Sequence, residues 1–160
     1  MRLNAPTVED VLQVRQWRND DIDVLRTPFM LTEDMQLDFY KRVVCDRNSP
    51  HRYWSVYDGL ELVAFIGLCS ISWENRHAEI SLIVNPARRK DGVGRIALDM
   101  LLTEGFNRLN LNMIYGECYE CNPNFKFWEA CEPDHKAPMK NRKYCNGQYY
   151  DSLYFSFDRR

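Results

Sequence analysis

The chain has 160 residues and a mass of 19.1 kDa, with 45% hydrophobic and 28% charged residues, a balance that excludes a disordered chain and fits one domain spanning 1–160. A net charge of −2 and a pI near 5.9 exclude the broad basic field of a non-specific nucleic-acid binder and count against a nucleic-acid partner. No stretch has the length and apolarity of a membrane span, and the opening residues 1–13 lack the continuous apolar run of an export signal. No membrane partner is therefore expected, and the cytoplasm is the expected location.

In chain order, a short strand at Arg2 to Ala5 precedes Thr7, a side chain suited to cap a helix. That helix carries Val8, Val11, Leu12 and Val14, leads to Trp17 and ends near Asn19 to Asp21. A loop with Arg26, Thr27, Pro28 and Phe29 separates it from a second helix predicted from Thr32 to about Cys45. There Met35, Phe39, Tyr40, Val43 and Val44 recur at helical spacing. Tyr53 to Tyr57 and Leu62 to Ile71 flank Asp58-Gly59, a turn signal that makes them an antiparallel pair.

His77 to Val84 is the next strand, with Glu79, Ser81 and Ile83 on one face and Ile80, Leu82 and Val84 on the other. Val93, Ile96, Ala97, Met100 and Leu101 form a helical stripe, and Met113 to Tyr119 is a further strand. A short helix from about Pro123 to Ala130 and a terminal strand pair around Asn146-Gly147 complete the order. The six cysteines (Cys45, Cys69, Cys118, Cys121, Cys131, Cys145) read as reduced packing thiols. Cys118-x-x-Cys121 raises zinc, but Cys118 lies within a strand and the later spacings fit no common knuckle, so no metal is expected.

The segment that carries chemistry is 85–95, Asn-Pro-Ala-Arg-Arg-Lys-Asp-Gly-Val-Gly-Arg, because it joins an apolar strand to the start of an amphipathic helix. Gly92 and Gly94 permit close backbone approach, the free N–H groups of the first helical turn point outward, and the helix dipole favours an anion there. Arg88, Arg89, Lys90 and Arg95 add positive charge. The segment lacks the Gly-Lys-Ser/Thr of a Walker loop and the third glycine of a dinucleotide fingerprint.

Arg89, Gly92 and Gly94, followed by a helix, a strand and an asparagine at Asn122, resemble the Arg/Gln-x-x-Gly-x-Gly/Ala motif of the GNAT superfamily of N-acetyltransferases. The resemblance implies an α/β fold with a mixed, mostly antiparallel sheet of six to seven strands, flanked by about four helices and splayed between the fourth and fifth strands. It implies acetyl-CoA as cosubstrate, with Arg89, Lys90, Asp91, Gly92, Val93, Gly94 and Arg95 around its pyrophosphate. Leu82, Ile83 and Val84 would lie along the pantetheine arm, with Asn122 nearby. Glu79 falls where many members place a strand carboxylate that deprotonates the amine, and a backbone N–H near Ile83 would face the thioester oxygen. Where members commonly carry an acidic tyrosine, this chain has Trp128, which cannot donate a proton.

On the acceptor side, Trp17-Arg18-Asn19 looks like a segment of GNAT subfamilies that acetylate nucleotide-linked amino sugars or ribosomal-protein N-termini. That likeness implies a primary-amine acceptor, first a nucleotide-linked amino sugar, with Trp17, Arg18 and Asn19 as contacts; the aromatic faces of Trp73 and Tyr119 are expected to add stacking for a sugar or base. A protein N-terminus and a non-catalytic acyl-CoA-binding module are the alternatives. A homodimer is left open.

Overall fold

The computed structural model describes residues 1–160 as seven strands and four helices. The first strand, β1 (Arg2–Asn4), leads to α1 (Val8–Asp20). Helix α1 starts just after Thr7 because the Thr7 and Asp10 side chains cap each other's backbone N–H, at 3.2 and 2.9 Å, an exchange worth about 1 kcal/mol. Asp10 also accepts from Ser55 Oγ at 2.7 Å and from the Tyr57 hydroxyl, which fastens the helix start to the sheet.

Helix α2 (Glu33–Phe39) is capped by Thr32 and continues as a wider π-type turn over Tyr40–Val44. The expected Thr32 to Cys45 helix is thus one segment with a change of winding. The hairpin β2 (Arg52–Asp58) and β3 (Glu61–Ser72) turns at Asp58-Gly59, and β4 (His77–Val84) lies against β3. After β4 come α3 (Val93–Thr103), β5 (Met113–Tyr119), α4 (Phe125–Ala130), β6 (His135–Cys145) and β7 (Gln148–Asp158).

The strands form one sheet in the order β1-β2-β3-β4-β5-β7-β6. All neighbours are antiparallel except β4 and β5, which run parallel. The two faces hold separate cores. On one, Val11, Val14 and Trp17 of α1 pack on Leu62 and Phe65, with Ile83 at the margin. On the other, α3 lays Val93, Ala97 and Leu101 on β3, while its Leu98 joins Trp128 of α4, Cys118 and Phe155. Burying each such side chain contributes about 1.5–3 kcal/mol.

The parallel pairing of β4 with β5 covers only His77, Ala78 and Glu79, opposite Met113, Ile114 and Tyr115. Beyond Glu79 the strands separate, leaving the β5-facing edge of β4 from Ile80 to Val84 without a strand partner. All six cysteines are free thiols. No group of three or more His, Cys, Asp or Glu side chains could hold a metal ion, and no helix is long and apolar enough to cross a membrane.

Candidate active site

Two cavities flank β4, and Ile83 lines both. The larger, about 450 Å³, opens where β4 and β5 part. Its walls include Leu82, Ile83 and Val84, then Arg89, Lys90, Gly92, Gly94 and Arg95, then Asn124, Phe127 and Trp128.

The turn that delivers this loop is built by Asn85. Its Oδ1 accepts from Ala87 N at 3.0 Å and its Nδ2 donates to Leu62 O at 3.2 Å. Gly92 takes φ +78° as the residue before α3, a left-handed conformation that glycine adopts without strain. Gly94 has a different reason to be glycine: a Cβ there would lie 3.3 Å from the Phe127 ring and 3.7 Å from Val84. A side chain would fill the space between the loop and α4.

The basic run divides. Arg88 turns away from the cavity to Asp58 (3.1 Å), Glu61 (2.5 Å) and Asp91 (3.3 Å), stapling the loop to the β2–β3 turn. Asp91 is thereby held outside the cavity, and Val93 is buried in the core below α3, so neither side chain lines this cavity. Arg89 is bound by Asp21, which lines the same cavity, and Arg95 is 3.3 Å from Asp99. Asn122 uses its Oδ1 to accept from Asn124 N at 2.9 Å, shaping the turn into α4. Trp128 stacks on Phe155 with centroids 4.6 Å apart and presents one edge to the cavity.

On the opposite face, Glu79 stands at the last position of β4 that pairs with β5. Its carboxylate is 2.5 Å from Arg26 Nη2, and Arg26 is also 3.2 Å from Glu117. Glu117, with its side chain 3% exposed, accepts from Ser152 Oγ at 2.7 Å and from Arg142 at 3.2 Å. Burial alone would raise the Glu117 carboxyl, but the hydrogen bonds from Ser152 and Arg142 and the charge of Arg26 outweigh it and hold the group below its usual range. Burial opposes the charge on Arg26, yet Glu79 and its neighbours hold that guanidinium more firmly protonated than an ordinary arginine. The result is a cation clasped by two carboxylates at the mouth of the fork.

The smaller cavity, about 290 Å³, lies between this cluster's face of β4 and helices α1 and α2. Ser81 and Ile83 form its floor, and Arg18, Gln36, Tyr53 and Phe65 are among its walls. Of the residues expected to meet the acceptor, the structure brings Arg18 to it. Trp17 is 5% exposed in the α1 core and has no face to offer. Asn19 spends its amide on Leu31, donating to O at 3.0 Å and accepting from N at 2.8 Å, which fixes the loop between α1 and α2. Trp73 is 47% exposed in the β3–β4 turn, over Arg52, and lines neither cavity. Tyr119 closes β5 beneath Lys143; burial, then the charge of Glu117, pushes its hydroxyl pKa up.

Arg26 and Glu117 were not singled out by sequence reasoning. Glu117 was within reach of it: on β5, Tyr115, Glu117 and Tyr119 alternate with the more buried Ile114, Gly116 and Cys118, which aligns Glu117 with Tyr119. Arg26 gives no such signal, because it reaches the site from an irregular loop.

Residues 1–126 match the family model described as an acetyltransferase (GNAT) domain. The chain belongs to the GNAT acetyltransferase family. It is an acetyl-CoA-dependent acyltransferase, in agreement with the mixed sheet and its splayed fourth and fifth strands. Among solved structures it is similar to a spermidine N-acetyltransferase from Vibrio cholerae in complex with CoA and spermine, with TM-score 0.86 and 22% identity over 98% of this chain and 94% of that one. It is also similar to a spermidine/spermine N-acetyltransferase from the same organism in complex with manganese ions, with TM-score 0.81 and 22% identity over 98% and 91%. At that identity the likeness is one of GNAT fold. A comparison with curated proteins found no match.

Proposed function

We propose that the chain transfers the acetyl group of acetyl-CoA to the primary amine of a small-molecule acceptor, with Glu79 receiving the proton the ammonium must lose. The observation that carries this reading is the sharing of Ile83 by the two cavities, with Glu79 two strand positions before Ser81 on the acceptor face. A cofactor and an acceptor approaching from opposite sides of β4 would meet there.

The larger cavity fits acetyl-CoA on three counts. Its β4 edge has backbone groups without a strand partner, its α3 start offers free amides to a pyrophosphate, and Gly94 leaves the room a Cβ would occupy. Leu82 to Val84 would hold the pantetheine arm, and Lys90, Arg95 and the amides around Gly92 the phosphates. The bound cofactor supplies an activated acyl thioester.

An alkyl amine with a pKa near 10 is neutral in only about one molecule in a thousand at pH 7, so a proton acceptor is required. Glu79 serves, directly or through a water, once its clasp on Arg26 loosens enough to free a lone pair. Arg26 holds the carboxylate in position in the interval. Trp128 contributes packing only, since its indole N–H has no accessible acid ionisation, and a thiolate with a pKa near 8.5 can depart at neutral pH without an acid.

For the acceptor, Arg18, the one residue of the Trp17-Arg18-Asn19 segment that lines the smaller cavity, favours a nucleotide-linked amino sugar, while the fold likeness makes spermidine the comparison to run beside it. The test is thiol release on mixing the protein with acetyl-CoA and an amine. Turnover that falls about a hundredfold or more in Glu79→Gln, with acetyl-CoA affinity kept, is expected. No thiol release with any amine class, despite acetyl-CoA binding, would overturn the reading.

A further inference from the structure

We propose that the cavity between β4 and helices α1 and α2 selects an acceptor amine bearing an anionic group, a carboxylate or a phosphate, and discriminates against polycations. The inference rests on the reading of that cavity as the acceptor side, and it starts from an asymmetry among the arginines. At the fork and the cofactor cleft each arginine is matched by a carboxylate: Arg26 by Glu79 and Glu117, Arg142 by Glu117, Arg89 by Asp21, Arg95 by Asp99. Arg18 has none. Its one side-chain hydrogen bond runs from Nη2 to Thr27 Oγ1 at 3.0 Å, and among the 12 residues lining the cavity it is the sole charged one.

A guanidinium has five N–H donors in a planar fork, so a single hydroxyl leaves most of them unused. Burial acts on Arg18 by disfavouring its charge, with no carboxylate nearby to restore it. Gln36 supplies a second, independent observation. It is 4% exposed, lines the same cavity, and its carboxamide makes no hydrogen bond within the protein. Its amide is not among the buried atoms left without a partner, which are Arg15 Nε and His77 Nδ1, so it opens onto the cavity with its hydrogen-bonding capacity free. The two groups together offer N–H donors to an oxyanion, and the Arg18 fork suits a carboxylate or phosphate bidentately. Phe29 and Met35, about half exposed at the rim, offer apolar cover for the acceptor's body. A second ammonium would find no carboxylate among the lining residues and would face Arg18.

The test compares four amines that differ in the charge far from the reacting nitrogen: tyramine, 4-(2-aminoethyl)benzoate, tyramine O-phosphate and spermidine. The proposal expects kcat/KM for at least one of the two anionic amines to exceed that for tyramine by about tenfold or more, with spermidine lowest. Which of the two wins tells carboxylate from phosphate. Arg18→Gln should collapse that preference to within about threefold while acetyl-CoA affinity stays near wild type, and Arg18→Lys should restore part of it. Gln36→Leu, which leaves Arg18 in place, should weaken the anionic amines selectively and guards against a misfolded Arg18 variant. Calorimetry of each amine on the CoA complex separates the two claims. Binding that depends on Arg18 without acetyl transfer would overturn the proposed function and keep this assignment. Indifference to the distal charge, preference for spermidine, or a preference that survives in both Arg18→Gln and Gln36→Leu would overturn this one.

Discussion

The two cavities on either side of β4 are built by different means. The larger cavity, proposed for the cofactor, is formed largely by consecutive backbone: a strand edge left free past Glu79, a turn set by Asn85, and two glycines before and within the first turn of α3. The smaller cavity, proposed for the acceptor, is made of side chains from α1, α2 and the loop between them, β2, β3 and β4, and the neighbouring charged cluster adds Arg26 from that loop, Glu117 from β5 and Ser152 from β7. A backbone cradle can be written in one contiguous segment, 80–94, whereas a side-chain cavity needs the whole fold before its members meet. It follows that substitutions on the two sides should separate cleanly into cofactor affinity on one hand and turnover or acceptor choice on the other.

The largest separation is expected at Gly94. An aspartate there would press on Phe127, which already lies 3.3 Å from where a Cβ would sit, and would bring negative charge to an anion site. Overpacking of this kind costs about 1–3 kcal/mol, so Gly94→Asp should lose about a hundredfold in acetyl-CoA affinity by calorimetry. Unchanged affinity in the folded variant would remove the loop from the cofactor site and erase the contrast.

A smaller effect, on stability, is expected at Glu117. Replacing it with Gln removes charge from a buried carboxylate that accepts from Ser152 and Arg142, at a cost of about 1–2 kcal/mol near neutral pH by urea denaturation. Because the folded-state pKa is depressed, the carboxylate's contribution is present above the unfolded value near 4.3 and is lost as pH falls through the folded value. The gap between wild type and Glu117→Gln should therefore close on acidification. A gap that widened in acid would mean the cluster does not stabilise the charged form.

The smallest effect is expected at Trp128, which is 9% exposed and stacked on Phe155. Trp128→Phe keeps an aromatic plane and should hold kcat within about threefold of wild type. A loss of several hundredfold with normal folding would give Trp128 a chemical role.

The same division explains what the sequence made legible. The strands His77–Val84 and Met113–Tyr119 were readable to the residue, because alternation and apolar runs are local signals. The strand-to-helix junction through Gly94 was readable because its residues are contiguous. The acceptor face was not. Trp17 and Asn19 flank Arg18 in sequence, yet a helical turn of about 100° per residue sends Trp17 into the core and Asn19 to Leu31. The loop that carries Arg26 has no periodicity to reveal that it reaches Glu79. Asp91 looked like part of an anion cradle because it is adjacent to it, and only the position of Asp58 and Glu61 shows why Arg88 draws it outward.

The central claim is that Glu79 serves chemistry while the cleft beyond Ile83 serves the cofactor, and one paired measurement on Glu79→Gln tests it. Acetyl-CoA affinity and a pH–rate profile would be recorded for wild type and variant with the fastest amine of the tyramine series. The account predicts affinity near wild type, kcat lower by about a hundredfold or more at neutral pH, and a variant rate that keeps climbing toward the amine pKa near 10 as solvent takes over deprotonation. A variant with wild-type rate and profile would contradict it, leaving Glu79 as the structural partner of Arg26.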